Sequence, residues 1–388
     1  MRPARRIEEL PPYLFATLDR KIAEARARGV DVISLAIGDP DHPTPSHIVQ
    51  AGVKAMQDPS THHYPSYYGM GEFRRAVAAY YRRRFSVELD PDAQVLPLIG
   101  SKEGIAHLAT AYVDPGDCML TCDPGYPVYA MSAILSGGRA VPVPLRAADG
   151  FLPRLAEIDH RVASDSKILW LNYPGNPTGA VSGADTFAEA VEFCRDHDIL
   201  LAHDAAYAEI TYDGYRAPSV LEVPGAFEVA LEFGSLSKTY NMTGWRVGWA
   251  AGSEEAVEAL GRVKTNIDSG IFNALQLAGI AALEGPQDGV SAMIEIYRRR
   301  RDAVLETLDL AGWSLQAPKG AIYVWVPVPD GDTSATFTEF LLSAAGVLVA
   351  PGSGYGSWGE GYVRFSLTIE DARLEEGLER ISRALEQR

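Results

Sequence analysis

The sequence has few cysteines and no long hydrophobic run. Only Cys118, Cys122 and Cys194 occur among 388 residues, and this small, odd number excludes a disulfide framework and favours a reducing compartment. Cys118 and Cys122 have no second pair of ligands at zinc spacing, so we expect no metal site. No apolar run approaches the roughly 18 residues that span a bilayer. The basic MRPARR is not followed by an apolar signal region, and we expect a cytoplasmic protein.

Basic residues are also in deficit. Lys and Arg number 35 against 51 Asp and Glu, which gives a formal net charge of −16. Because like charges repel, this composition disfavours general binding to nucleic acid or to an anionic membrane. Hydrophobic residues make up 47% of the chain, which allows a large buried core. The length is sufficient for two or three domains.

Short apolar runs alternate with helical patterns between about residues 93 and 252. Among these runs are QVLPLI (94–99), KILWLN (167–172) and ILLAHD (199–204). Continuous apolar strands separated by helices indicate a mostly parallel sheet that is covered on both faces. Ligands of such sheets bind beyond the carboxyl ends of the strands. From about residue 290 the pattern indicates a smaller α+β domain, which the first 40 or so residues are expected to join.

Lys238 and Asp204 lie at the ends of two of these runs. A lysine that ends a buried strand can have a lowered pKa and form imines, although a solvated surface lysine is the simpler interpretation. A buried Asp204 would need a cation, and a protonated pyridine nitrogen would serve. The alternative is an N-cap for the following segment. Tyr207 either reaches the same ring or is an ordinary core tyrosine.

Two arginines lie in apolar surroundings. Arg246 stands in TGWRVGW and Arg364 in YVRFSL. An unpaired buried charge is costly, so each arginine requires an anion. Because a guanidinium binds phosphate and carboxylate in bidentate pairs, a phosphate for Arg246 and a substrate carboxylate for Arg364 are candidates. An internal salt bridge is the alternative for both.

Four loop positions complete the candidate site. Asn176, in NPTG, can present its amide to a ligand, unless the motif is only a loop. Ser101 begins a helix, and free amides there bind phosphate, unless the motif only caps the helix. Tyr126 either stacks on a flat ring or packs in the core. Gly38 allows the backbone to approach a ligand closely or simply forms a turn.

The order NPTG, HDAAY and SLSKTYNMTGWRVGW resembles the class I aminotransferases of the aspartate aminotransferase fold family. The resemblance extends from IGDPDHPTP to YVRFSL. It implies a fold-type I α/β protein with a mostly parallel seven-stranded sheet, and pyridoxal 5'-phosphate as the cofactor. The implied large cofactor-binding domain spans 43–289, and the small domain joins 1–42 to 290–388. A homodimer with shared active sites, acting on amino acids and 2-oxo acids, is also implied.

The resemblance further implies a role for each candidate residue. Lys238 forms the Schiff base and shuttles the proton, while Asp204 pairs with the ring nitrogen. The implied hydrogen bonds to the phenolic oxygen come from Asn176 and Tyr207, and Tyr126 stacks on the ring. The implied phosphate ligands are Ser101, the Lys102 amide, Ser235 and Arg246, and Tyr64 contacts the phosphate of the partner subunit. The implied substrate-binding residues are Arg364, Gly38, Asn176 and Tyr68.

Several stretches, including HYPSYYGM and VLPLIGSKEGIAH, are most similar to the LL-diaminopimelate aminotransferase subgroup. That subgroup often has a glutamate in the loop where this chain has Tyr67 and Tyr68, and a tyrosine cannot pair with a distal ammonium as a carboxylate would. Two other functions remain open. The same scaffold can catalyse elimination, γ-substitution or ring formation in specialised metabolism, or it can serve as a cofactor-binding regulator, which would need a basic DNA-binding domain.

Overall fold

A computed structural model describes residues 1–388. The α-helices are α1 (Arg5–Glu8), α2 (Leu14–Ala27), α3 (Ser46–Met56), α4 (Gly71–Phe85), α5 (Ser101–Tyr112), α6 (Val128–Ser136), α7 (His160–Ser164), α8 (Ala184–His197), α9 (Ala226–Val229), α10 (Leu236–Thr239), α11 (Glu254–Thr265), α12 (Asn273–Glu284), α13 (Asp288–Leu310), α14 (Ser334–Ala345) and α15 (Asp371–Glu386). None of the helices combines the length and the hydropathy that crossing a bilayer requires.

The strands are β1 (Ile33–Ser34), β2 (Val95–Leu98), β3 (Cys118–Asp123), β4 (Arg139–Pro144), β5 (Ser166–Leu171), β6 (Leu200–Asp204), β7 (Ala230–Ser235), β8 (Gly248–Gly252), β9 (Tyr323–Pro327), β10 (Val347–Leu348), β11 (Ala350–Pro351) and β12 (Tyr362–Ser366). Seven of them form the central sheet in the order β2-β8-β7-β6-β5-β3-β4. Only β8 runs antiparallel to its neighbours, which confirms the mostly parallel seven-stranded sheet. The carboxyl ends of β5, β6 and β7 therefore meet at one edge.

The central sheet is buried on both faces, as its continuous apolar strands predict. In β5, Ile168 and Trp170 belong to one hydrophobic cluster, while Leu169 and Leu171 belong to another. Because successive side chains of a strand point to opposite faces, these two clusters lie on the two sides of the sheet. Together they form the core that holds the strand ends in place.

Strand β4 is the one central strand without a counterpart among the apolar runs of the sequence. Its segment RAVPVP contains Pro142 and Pro144, and it pairs only with β3. Proline has no N–H to donate, so it is tolerated at the edge of a sheet but not in the middle. The prolines that interrupt the strand pattern are thus explained by the edge position.

Outside the central sheet, the helices of the first 40 residues and of the C-terminal part are defined by their caps and apolar stripes. Helix α14 begins with a capping box, in which Thr333 and Thr336 satisfy each other's backbone N–H groups. Helix α2 buries Leu18, Ile22 and Ala25, which lie on one face because they are three or four residues apart. These elements pack around a three-stranded antiparallel sheet in the order β11-β12-β9.

We propose the division into a large domain at 43–289 and a small domain formed by 1–42 and 290–388. The parallel pairing of β1 with β10 supports it, because this pairing joins the first segment to the last. A cluster of 26 buried residues supports it as well, since its members come mainly from residues 33–35 and 293–384. Tyr207, Ile210 and Tyr212 also belong to this cluster, so the segment after β6 packs against the smaller unit.

Candidate active site

A cavity of about 300 Å³ opens at the carboxyl edge of the central sheet. It is bounded by the ends of β5, β6 and β7, the start of α5 and the loop that follows β1. The candidate residues that line it are Gly38, Ser101, Lys102, Tyr126, Asn176, Asp204, Tyr207, Ser235, Lys238 and Arg246. Residues that are up to 208 positions apart in the sequence are thus brought to one place.

Lys238 projects into this cavity from the short helix α10. Ser235 caps that helix, its Oγ accepting a hydrogen bond from the Ser237 N–H at 3.1 Å. The Lys238 Nζ donates to the Gly38 carbonyl oxygen at 2.6 Å. Burial lowers the pKa of Lys238 to about 8, and the carboxylate of Asp39 opposes this shift. Lys238 is therefore not a solvated surface lysine, and a substantial fraction of its amine is neutral near pH 8.

Asp204 is a buried carboxylate without a cationic partner. Its side chain forms no ion pair, and only 5% of the residue is exposed. The Oδ2 atom accepts a hydrogen bond from the Tyr129 hydroxyl at 2.8 Å, whereas Oδ1 has no partner. Burial raises the pKa of this carboxyl group. Residues 206–209 form a turn rather than a helix, so the N-cap alternative is wrong.

Two asparagines connect the ends of β5 and β6. The Asn172 side chain accepts from the Asn176 N–H and donates to the Asp204 carbonyl, both at 2.7 Å. The Asn176 Oδ1 atom accepts from Arg364 at 2.7 Å, which leaves its amide N–H₂ for a ligand. Sequence reasoning missed Asn172, although it lies in the same NYPGNPTG stretch as Asn176.

Tyr207 forms a buried hydroxyl pair with Tyr323 of β9, at 2.8 Å. Burial raises the pKa of Tyr207, so its hydroxyl keeps its proton at ordinary pH. A Cβ atom at Gly38 would lie 2.2 Å from the Tyr323 hydroxyl, which explains the glycine at that position. Tyr323 itself was missed because its segment, AIYVWVPV, indicates only a strand.

The start of α5 and Arg246 form a cationic corner of the cavity. Gly100 has a positive φ of 72°, and a Cβ there would lie 2.2 Å from Arg246 Nη2. The Arg246 guanidinium donates to the Thr243 carbonyl at 2.8 Å and pairs with no acidic residue. The expectation that Arg246 is buried is wrong, because the residue lies in a turn before β8 and is exposed toward the cavity. Free helix N–H groups beside an unpaired guanidinium suit a phosphate.

Arg364 lies behind the cavity in the middle of β12 and is fully buried. It donates to Asn176 and, at 2.6 Å, to the Ala36 carbonyl, while its Nε has no partner. Its guanidinium carbon lies 4.0 Å from the centre of the Tyr323 ring. No carboxylate pairs with it, so the internal salt bridge is wrong. A buried arginine without an anion is costly, and a carboxylate ligand would remove that cost.

Tyr126, Tyr64 and Tyr68, which were also predicted to contact the cofactor or the substrate, lie in different places. Tyr126 lines the cavity and contacts Tyr129 edge to face, with ring centres 5.7 Å apart. Tyr64 and Tyr68 are 85% and 46% exposed, respectively, and neither lines the cavity. Tyr68 lies instead against Gly261 of α11. The single chain therefore does not bring Tyr68 to the substrate site that was predicted for it.

Fold and cavity together define a class of enzyme. The profile of the family "Aminotransferase class I and II" matches residues 30–381, and the chain belongs to this family. It is an aminotransferase, an enzyme that exchanges amino groups between amino acids and 2-oxo acids. The predicted family and fold are confirmed, and the comparisons do not favour elimination or substitution chemistry.

Curated relatives match over almost the whole chain. The LL-diaminopimelate aminotransferase of Moorella thermoacetica is 56% identical over 385 residues, which cover 99% of both chains. That of Desulforudis audaxviator is 58% identical over 378 residues, or 97% of this chain and 96% of the relative. A solved aspartate aminotransferase mutant from Thermus thermophilus is 30% identical, with a TM-score of 0.92, and covers 99% of this chain and 100% of its own. The chain is therefore similar to aminotransferases at every level of comparison.

Proposed function

We propose that the enzyme uses pyridoxal 5'-phosphate and that Lys238 is the amine that bonds to it. One observation carries this proposal. A lysine with a lowered pKa and a buried carboxylate with an unpartnered oxygen line the same cavity. These groups come from α10 and from the end of β6. An amine and an acid in this arrangement match the two reactive ends of the cofactor, its aldehyde and its ring nitrogen.

The remaining lining residues fit the other parts of the cofactor. The first turn of α5, Ser235 and Arg246 form the anion-binding corner that a phosphate needs. Tyr207 and the free amide of Asn176 are candidates to bind the phenolic oxygen, and Tyr126 is a flat surface for the ring. The orphaned Asp204 Oδ1 supports this fit most strongly, because a buried acceptor without a donor is rare in a folded protein.

When bound, pyridoxal phosphate supplies an aldehyde that takes up the amino group and a ring that delocalises the electron pair left by loss of the α-proton. Lys238, neutral in an appreciable fraction near pH 8, is the base that removes this proton and returns it. Asp204 holds a proton at the ring nitrogen, and the Tyr207 hydroxyl donates to the phenolic oxygen. Arg364 and the Gly38 loop orient the substrate carboxylate, so that the α-carbon lies within reach of Lys238.

We further propose LL-diaminopimelate as the amino donor and 2-oxoglutarate as the acceptor. The two relatives described above support this, since both carry the name LL-diaminopimelate aminotransferase. Diaminopimelate has a second ammonium and a second carboxylate, and the cavity is lined by charges of both signs, Asp39 and Lys102. A purely aromatic or aliphatic donor would offer no charge to the Asp39 carboxylate or to the Lys102 ammonium, which otherwise donates to the Tyr13 hydroxyl at 3.2 Å.

A homodimer in the cytoplasm completes the proposal. Helix α3 presents Val49, Val53 and Met56 on one exposed face, and it packs against α12 through other residues. Tyr64 and Ile267 are exposed as well. An exposed apolar surface of this kind is typical of a protein–protein interface, and a second copy would bring Tyr64 near the cavity of its partner. Three free, buried cysteines are compatible with a reducing compartment.

Borohydride reduction of the cofactor-loaded enzyme tests the role of Lys238. The reduced cofactor is expected on the peptide that contains Lys238, as located by mass spectrometry, and the Lys238→Ala variant is expected to carry no label and to lose turnover. Lys264 is a matched control, because it is also buried but is held by Glu103 and Asp268. A label on Lys264, or active and labelled Lys238→Ala protein, would contradict the proposal.

A panel of amino donors tests the substrate. Diaminopimelate, glutamate, aspartate, alanine and an aromatic amino acid are each offered with 2-oxoglutarate, or with oxaloacetate for the glutamate assay. We expect the highest kcat/KM for diaminopimelate. An equal or higher value for an aromatic donor would exclude diaminopimelate as the preferred substrate while leaving the aminotransferase activity in place.

A further inference from the structure

Tyr129 is a buried tyrosine whose hydroxyl contacts the acid of the candidate site. It lies in the first turn of α6 and donates to Asp204 Oδ2 at 2.8 Å. The sequence analysis and the proposed cofactor contacts assign no role to it. Only 1% of the residue is exposed, so it does not line the cavity itself. Any influence on the reaction must therefore act through a neighbour that does line it, and Asp204 is the neighbour that its hydroxyl contacts.

The ring of Tyr129 is held on two sides. It stacks on Trp170 of β5, with ring centres 4.8 Å apart and an angle of 9° between the planes. Its edge meets Tyr126, at 5.7 Å and 84°. Rings packed in this way keep a single rotamer. The Tyr129 hydroxyl is consequently held in one position, within hydrogen-bonding distance of Asp204 Oδ2.

The carboxylate of Asp204 is thereby restricted to one orientation. Its main-chain carbonyl is held by Asn172 at 2.7 Å, and its Oδ2 is held by Tyr129. The Oδ1 atom alone remains without a partner, and Asp204 lines the cavity. A carboxylate that rotated freely would present either oxygen, or neither, to a ligand.

We infer that Tyr129 is a positioning residue that orients Asp204 so that one oxygen faces the ring nitrogen of the cofactor. This inference rests on the proposed function, because it assigns Asp204 to that nitrogen. Removing the hydroxyl would leave Oδ2 without its donor and would free the carboxylate to rotate. A misplaced acid would hold the proton at the ring nitrogen less firmly.

The hydrogen bond also affects the ionisation of Asp204. Burial raises the pKa of this carboxyl group, and the Tyr129 hydroxyl opposes that effect. Without the hydroxyl the pKa would rise further, so the carboxylate form would persist only at higher pH. The acidic limb of the pH profile of turnover should then move to higher pH, which a purely structural role would not cause.

The test compares two cofactors in the Tyr129→Phe variant. One is pyridoxal phosphate, and the other is its analogue in which the ring nitrogen is replaced by carbon. The equilibrium dissociation constant of pyridoxal phosphate is expected to rise about tenfold, the effect of losing one hydrogen bond to a charged group. That of the analogue is expected to stay unchanged, because the analogue has no nitrogen for Asp204 to bind. Phenylalanine keeps the stacked ring, so the fold is expected to persist.

Tyr212→Phe is the matched control, because Tyr212 is equally buried and its hydroxyl donates to the Ala321 carbonyl at 2.6 Å. It should change neither dissociation constant. In the Asp204→Asn background, Tyr129→Phe should cause no further weakening of pyridoxal phosphate binding. Equal weakening for both cofactors, or additivity in the double variant, would overturn the inference. If Lys238 is still labelled by borohydride in that case, only the role of Tyr129 is wrong; if it is not, the proposed function fails as well.

Discussion

His203 and Asp204 are neighbours in β6, yet their surroundings differ completely. The His203 ring contacts Glu232 at 2.8 Å on the side of the sheet away from the cavity. Glu232 also accepts from the Tyr81 hydroxyl, the Ser219 hydroxyl and the Val220 N–H at 2.8–3.0 Å. Asp204 has one hydrogen bond and one bare oxygen. The first region is complete within the chain, whereas the second needs a ligand.

The same contrast holds for the buried basic residues. Arg301 is paired with Asp213 and Asp302, while Arg364 has no acid. Lys264 lies between Glu103 and Asp268, while the only hydrogen bond of Lys238 goes to a carbonyl. Buried charges are normally paired. The unpaired ones gather around one cavity, and this clustering locates the site independently of any motif.

The largest expected effect is on catalysis and comes from Asp204→Asn. Asparagine fills the same space but cannot hold a proton at the ring nitrogen, so turnover should fall by roughly 10³-fold or more. Stability of the cofactor-free protein should not fall. Because burial raises the pKa of Asp204, the ionised group destabilises the fold above that pKa, and asparagine removes this penalty. Steady-state kinetics and chemical denaturation at pH 8 measure the two effects.

A loss of cofactor-free stability in Asp204→Asn would break the contrast between the two regions. It would mean that Asp204 is part of the chain's own hydrogen-bonded core, like Glu232. Unchanged turnover would remove the acid from the proposed mechanism.

Glu232→Gln should have the opposite signature. One oxygen becomes an N–H₂ group that faces donors, so the free energy of unfolding should fall by about 3 kcal/mol. Turnover of the folded variant should stay within about threefold of the native value, since a moderate change in a network outside the cavity leaves the site in place. Chemical denaturation and kinetics well below the unfolding temperature check both results. Glu379→Gln, at an exposed position, is the control and should change neither quantity.

Arg364→Lys should mainly affect substrate binding. Lysine keeps the charge but cannot form the two-pronged contact with a carboxylate, so kcat/KM should fall by about 10²-fold, or roughly 2.7 kcal/mol. The absorbance of the bound cofactor should not change. Arg301→Lys provides the paired comparison: it should lower stability and leave KM unaltered. An equal increase in KM in both variants would show that the absence of an acidic partner does not mark Arg364 as the substrate-binding arginine.

The smallest expected effect is the pH dependence of cofactor attachment. With the pKa of Lys238 lowered to about 8, roughly one amine in ten is neutral at pH 7 and most are neutral at pH 9. The rate at which cofactor-free enzyme bonds to pyridoxal phosphate should rise about tenfold over this range and then level off. An ordinary lysine would give a rise of about a hundredfold without levelling. Stopped-flow absorbance measurements distinguish the two.

The sequence predicts the strand ends and the residues on them, because apolar runs locate the sheet and short motifs mark its edge. Lys238, Asp204, Asn176 and Arg246 could all be found in this way. Tyr323 and Tyr129 could not, because their roles depend on contacts across 116 and 75 residues, respectively. Such contacts leave no local pattern in a single sequence.

Exposure was harder to predict than position. Arg246 stands between two tryptophans in the sequence and is nevertheless exposed in the cavity, since a turn rather than a strand carries it. Tyr68, for which a substrate contact was predicted, packs against Gly261 of α11 and does not line the cavity of the single chain. Apolar neighbours in a sequence indicate burial only where the backbone is regular, because in a turn consecutive side chains no longer alternate between core and solvent.

Both outer strands of the central sheet contain proline, Pro97 in β2 and Pro142 and Pro144 in β4. An edge strand that contains proline is a poor template for pairing with a strand of another molecule, because proline has no N–H to donate. Sheet extension between copies, the usual beginning of fibrils, is thereby disfavoured at either margin. The homodimer proposed above would instead use a helical surface, the exposed apolar face of α3, where side chains and not backbone groups make the contact.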